Sequence, residues 1–117
     1  MLTIQMSDLA KADLWMIQRY TTDQYDEEQS DRYVELIDLA FDDIADEPKS
    51  VVARRLPEYG DHIWMRHLST SRRRGTTQVQ TPRHVIVYSL KTEGVVNILR
   101  VLHDSMDIDS QLEPYSE

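Results

Sequence analysis

Residues 83–107, RHVIVYSLKTEGVVNILRVLHDSMD, decide how the rest of this chain is read. Two apolar runs rich in β-branched residues, 84–90 and 95–102, flank the short polar link Lys91-Thr92-Glu93-Gly94, a pattern that predicts a β-hairpin. The second run stops at His103. Asp104-Ser105-Met106-Asp107 follows as a polar cluster at the end of a rigid strand, where exposed side chains often bind or react. Strand parity puts His84, Ile86, Tyr88 and Leu90 on one face and Arg83, Val85 and Val87 on the other. In the second strand it sets Val95, Leu99, Val101 and His103 against Val96, Ile98, Arg100 and Leu102. Both faces are apolar, so both need cover.

Upstream, Leu2-Thr3-Ile4-Gln5-Met6 alternates apolar and polar residues and reads as a short half-buried strand. Ser7 or Asp8 then caps a helix in which Leu9, Ala10, Leu14, Ile17 and Tyr20 recur at helical spacing, with Trp15 and Met16 widening the stripe. After a break at residues 21–24, Asp26 fits an N-cap with Gln29 three residues on and acidic residues in the first turn. Tyr33, Ile37, Ala40, Phe41 and Ile44 line one face of this second helix, and Pro48 stops it. So short a link predicts an antiparallel helical hairpin, whose apolar and aromatic stripe is core for a sheet to cover.

Residues 49–61, broken by Pro57 and Gly60, read as a connection. Residues 62–68 read as a strand with Ile63, Met65 and His67 on one face and Trp64, Arg66 and Leu68 on the other. Residues 69–82, with Arg72, Arg73 and Arg74 in a row, read as a long mobile basic loop in which Thr76 to Thr81 is the only stretch suited to a β-ribbon. The expected architecture is α+β in the order β-α-α-β-β-β, one domain over residues 1–117, with the N-terminal strand and helical hairpin packed on one face of a small antiparallel sheet. The second sheet face, holding Arg100, requires the acidic tail 104–117, the basic loop or a partner. In the tail only Met106, Ile108 and Leu112 are placed to tuck back.

Composition excludes several classes. Without cysteine there are no disulfides, thiolate nucleophiles or Cys-ligated metals. His62 and His67 have no metal-like spacing with other ligands, so neither a metal site nor any cofactor is expected. The first twenty residues lack an apolar signal core and no later run approaches a membrane span, which reads as a soluble cytoplasmic chain with no membrane partner. The net charge of −8 is polarised: residues 1–48 carry −10, residues 49–103 carry +7 and residues 104–117 carry −5. That total argues against direct DNA binding by the chain alone. Three guanidinium groups at Arg72, Arg73 and Arg74 nonetheless suit an acidic protein or nucleic-acid surface.

Particular residues resemble the ParE branch of the ParE/RelE superfamily of bacterial type II toxins. They are Ala12-Asp13-Leu14 with Ile17 and Tyr20, the run from Tyr33 to Phe41 with Ile44-Ala45-Asp46 and Pro48, His84-Val85-Ile86-Val87-Tyr88, and Ile98-Leu99-Arg100-Val101-Leu102-His103 followed by Ser105-Met106-Asp107. The resemblance spans residues 1–48 and 83–109. It implies a toxin that inhibits DNA gyrase by binding and is neutralised by a cognate antitoxin in a hetero-oligomer. Under it, His103, Ser105, Met106 and Asp107 join Arg72, Arg73 and Arg74 as expected target contacts, and Ile98, Arg100 and Leu102 form the expected antitoxin face. The chain departs from the family in its long 69–82 segment and its acidity.

The RelE-like alternative, ribosome-dependent mRNA cleavage, needs a proton acceptor, a proton donor and phosphate-binding cations. Arg83, His84, Tyr88, Arg100 and His103 are the candidates. The acidic ending at Asp104 and Asp107, with no Lys or Arg after Arg100, opposes phosphate binding, so no catalytic set is assigned. A non-toxic interaction module of the same fold is the third class.

Overall fold

The computed structural model describes residues 1–74 and 81–112, with the side chains of Arg73 and Arg74 outside that description. All of the expected β-ribbon segment except Thr81, and the last tail residues, 113–117, also lie outside it. Strand β1 (Thr3–Met6) leads into α1 (Asp8–Gln24) and α2 (Glu27–Asp46), followed by β2 (Arg54–Arg55), β3 (Ile63–His67), β4 (His84–Ser89), β5 (Val95–His103) and a short α3 (Ile108–Leu112). The five strands lie in the order β1-β5-β4-β3-β2. All neighbours are antiparallel except β1, which runs parallel to β5.

Local chemistry accounts for the helix boundaries. The Ser7 hydroxyl accepts from the Ala10 amide, and Asp26 Oδ1 accepts from the Gln29 amide at 2.8 Å, each replacing a hydrogen bond that a first helical turn lacks. Ala10, Ile17 and Thr21 form the buried line of α1, with Leu14 partly buried beside it. Leu9, Trp15, Met16 and Tyr20 fall off that line and are 46–64% exposed, correcting the expectation that they belong to the core stripe. In α2 Ile37, Ala40, Phe41 and Ile44 of the expected stripe are buried, with Leu36 and Ala45 added and Tyr33 partly buried.

The hairpin link turns at Gly94, whose φ of 78° suits a residue without Cβ. Strand β4 has the expected parity: Ile86 and Tyr88 pack under the helices, Val85 and Val87 on the far face. Strand β5 does not. Val87 pairs with Arg100 and Tyr88 with Ile98, leaving Leu99 as an extra residue. Parity inverts across that bulge, so Val96, Ile98 and Val101 face the helices while Leu99 and Leu102 face away.

The far face is covered from within the described chain. Leu56 and Tyr59, from the stretch read only as a connection, join Ile108 and Leu112 over Val85, Val87 and Leu102. The Tyr59 hydroxyl donates to Asp109, fastening a 3-10 turn at Pro57–Tyr59 to α3. The start of the expected loop is also ordered, as a 3-10 helix over Leu68–Arg74. Its cause is a buried polar knot: Asp43 of α2 accepts from Ser71 Oγ at 2.6 Å and from Arg66 at 3.3 Å, while Arg66 Nε donates to Thr70 Oγ1 at 2.8 Å.

Because Leu112 is fully buried, Leu112→Ala should lower unfolding stability by about 2–4 kcal/mol in chemical denaturation. A change below about 0.5 kcal/mol, the scale of surface substitutions, would mean that α3 does not hold the far face.

Candidate functional site

Where β4 begins and β5 ends, three histidines, one tyrosine, one arginine and one aspartate meet. His84 and His103 are cross-strand partners with ring centroids 5.3 Å apart and planes at 82°. Tyr33 of α2 stands edge-on to His84 at 5.4 Å. Its hydroxyl accepts the Arg83 amide at 3.1 Å and is 2.6 Å from His84 Nδ1. Having accepted that amide, the hydroxyl is placed to donate to Nδ1, which leaves the ring proton of neutral His84 on Nε2. His103 Nδ1 accepts the Ser105 amide at 3.1 Å, with the Ser105 hydroxyl 2.7 Å away, which assigns that ring the same tautomer. His67 Nδ1 accepts the Ser69 amide, so its Nε2–H donates to Asp104 at 3.0 Å.

Asp104 therefore receives His67 on one oxygen while Arg83 reaches both of its oxygens through Nε and Nη2. The hydrogen bonds from Arg83 and then His67 hold its carboxyl down at about 2. His84 is the opposite case: burial and then the nearby His103 depress its pKa to about 4, keeping the ring neutral at pH 7. Burial raises the Tyr33 hydroxyl, leaving it a proton donor. The cluster borders an open cleft of about 720 Å³ between the end of α1, the start of α2 and the β4–β5 ends.

Of the five ribonuclease candidates, Arg83, His84 and His103 are gathered here. Tyr88 is not: it is buried in the core, donates to the Pro48 carbonyl at 2.6 Å, and burial lifts its pKa to about 12. Arg100 lies elsewhere too, its Nε and Nη2 on the two Asp13 oxygens at 2.8 and 2.9 Å, with Nη1 against Gln111 of α3. The expected antitoxin face is likewise not open. Ile98 lies under the helices, Leu102 under Leu112 and its neighbours, both fully buried, and Arg100 is only 14% exposed. The Leu99 bulge, which puts Ile98 and Leu102 on opposite faces, is the physical reason.

Among the expected target contacts, His103 and Ser105 form one hydrogen-bonded unit and Met106 is 46% exposed. Asp107 accepts from the Asp109 amide and the Ser110 hydroxyl at the start of α3, a local capping task. Arg72 is exposed on the 3-10 helix. Tyr33, His67 and Asp104 escaped assignment from sequence. Tyr33 read as core, and nothing local signals that it meets His84 fifty-one residues later. No group of three His, Cys, Asp or Glu among the described residues is arranged to hold a metal ion, and no helix among them is long and apolar enough to cross a membrane.

A family model described as ParE toxin of the type II toxin-antitoxin system, parDE, matches residues 4–108. The chain belongs to the ParE toxin family. Toxin ParE1 of Mycobacterium tuberculosis, in strains CDC 1551 / Oshkosh and ATCC 25618 / H37Rv, is 28% identical over 107 residues, covering 92% of this chain and 94% of the relative. A solved structure titled "Chromosomal ParDE TA system from P. aeruginosa" shares the fold at a TM-score of 0.62 and 16% identity, over 88% of this chain and 96% of that one. The matched span, residues 4–108, runs from β1 to the start of α3 and contains every residue of the histidine cluster.

The depressed pKa of His84 sets a stability window. An unfolded histidine takes up its proton near pH 6.5 but the folded one only near 4, so stability is full above about 6.5 and is lost as pH falls toward 4. His84→Gln should flatten that limb in denaturant titrations at stepped pH; an unchanged slope would place the ring in contact with solvent.

Proposed function

We propose that this ParE-family chain is the toxin of a two-component system and arrests growth by binding DNA gyrase, with a cognate antitoxin as its neutralising partner. The family match over residues 4–108 carries the reading. The geometry supports binding over RNA cleavage: two of the five residues that cleavage would recruit, Tyr88 and Arg100, are committed to Pro48 and to Asp13 with Gln111. Since α3 covers the far sheet face, the exposed Leu9, Trp15 and Met16 of α1 are the better apolar surface for the antitoxin. The same reading keeps the chain in the bacterial cytoplasm, where gyrase acts.

Induced alone in bacteria, the chain should stop growth with a DNA-damage response and intact mRNA. Rapid mRNA loss at ribosomes would instead favour the nuclease, and undisturbed growth would leave an interaction module.

Arg72, Arg73 and Arg74 lie on the 3-10 helix that Asp43 and Arg66 clamp to α2, so their backbone is held at a fixed point. Replacing Arg72, Arg73 and Arg74 together by alanine should leave the far-ultraviolet circular dichroism unchanged and weaken gyrase inhibition by about tenfold or more, the loss of one to two kcal/mol of contact. Full inhibition by the folded triple variant would remove this segment from the target surface.

A further inference from the structure

The cleft beside the histidine cluster has a binding chemistry suited to a small anionic ligand. Arg32, Arg83, His84 and His103 line it and, among the described residues, no Asp or Glu does, in a chain whose net charge is −8. The nearby carboxylates are already engaged, Glu28 by Arg32 at 2.6 Å and Asp104 by Arg83 and His67. Both His84 and His103 spend Nδ1 as an acceptor, and among the described residues neither Nε2 has a partner. Nε2–H is therefore the atom each ring has left for a ligand. Arg83 commits Nε and Nη2 to Asp104 and stays 58% exposed, so Nη1 remains as a third donor. Three N–H donors on two adjacent strand ends suit the oxygens of one phosphate, with Arg32 adding a second guanidinium group to the wall.

The other walls have a different character. Tyr20 and Tyr25, at the end of α1, also line the cleft and are 64% and 70% exposed. Open aromatic rings of this kind stack on a nucleobase with little regard to its identity. The volume, about 720 Å³, lies within the range of small-molecule sites and admits a nucleotide.

We propose that this cleft binds a nucleoside monophosphate group, with the phosphate on Arg83, His84 and His103 and the base against Tyr20 and Tyr25. The group is either a free mononucleotide or the phosphorylated end of a single strand; the recognising chemistry is the same. Because the two guanidinium groups are each partly neutralised, hydrogen-bond donors more than net charge hold the phosphate. Affinity is accordingly modest, with Kd about 0.1 mM.

The test uses the full chain, titrating adenosine 5′-monophosphate while following the histidine side-chain nitrogens by two-bond ¹H–¹⁵N correlation spectra. The Nε2 signals of His84 and His103 should move together and saturate while His62 stays still. Adenosine and inorganic phosphate, tested separately, should each bind at least about tenfold more weakly, because each makes half of the contacts. Tyr25→Ala, at an exposed position, should weaken the mononucleotide by about tenfold and leave inorganic phosphate unaffected. A short oligonucleotide with a terminal phosphate should displace the mononucleotide if a strand end is the natural source; failure to compete assigns the site to the free nucleotide. No movement of the two Nε2 signals at millimolar nucleotide overturns the site. Inorganic phosphate binding as tightly as the nucleotide reduces the cleft to a simple anion site and overturns the nucleotide assignment.

Discussion

One extra residue in β5 sets the arrangement of the whole molecule. Ile98 and Val96 lie under the helices, so unbroken alternation would carry Arg100 and Leu102 to that side and turn His103 away from it. The Leu99 bulge reverses this: Val101 and His103 join the helix side, and Arg100 and Leu102 pass to the far one. His103 thereby meets His84, and His84 meets Tyr33. The bulge lies where β1 ends. Ser7, the residue that starts α1, donates its amide to the Ile98 carbonyl and its hydroxyl to that of Leu99. Asp13, further along α1, accepts the Val101 amide at 2.9 Å and holds Arg100. Helix α1 thus supplies by side chain what β1 no longer supplies by pairing.

Around this strand end the protein sorts its charges by burial. His84, most enclosed, is held neutral by desolvation; Asp104, more open, is held ionised by Arg83 and His67. At neutral pH His84 is thus an uncharged donor and Asp104 an ionised acceptor. A general acid–base pair would need pKa values near the working pH, and His84, at about 4, is far from it.

Two further polar ties place the surfaces. The Asp43–Arg66–Ser71 knot anchors the segment that bears Arg72, and Arg100, between Asp13 and Gln111, links α1 to α3 across the end of the sheet. The second tie draws Leu112 onto Leu102 and closes the far face from within. What stays open is the outer side of α1, where Leu9, Trp15 and Met16 meet solvent with Arg19 stacked over Trp15 at 5.3 Å.

Much of this was legible in the residues alone. Period-two and period-3.6 patterns mark the strands and helices, Ser7 and Asp26 mark the helix starts, and Gly94 marks the hairpin, because each of these depends on neighbours within a few positions. The tertiary structure decided the rest. A bulge is invisible to alternation when residues on both faces are apolar, so Ile98, Arg100 and Leu102 read as one face although they occupy two. The covering of that face by Leu56, Tyr59 and Leu112, and the meeting of Tyr33, His67 and Asp104 with the two hairpin histidines, join distant residues, as the Tyr33–His84 hydrogen bond does across fifty-one positions. Contacts of that span follow from how helices and strands pack, not from local propensity.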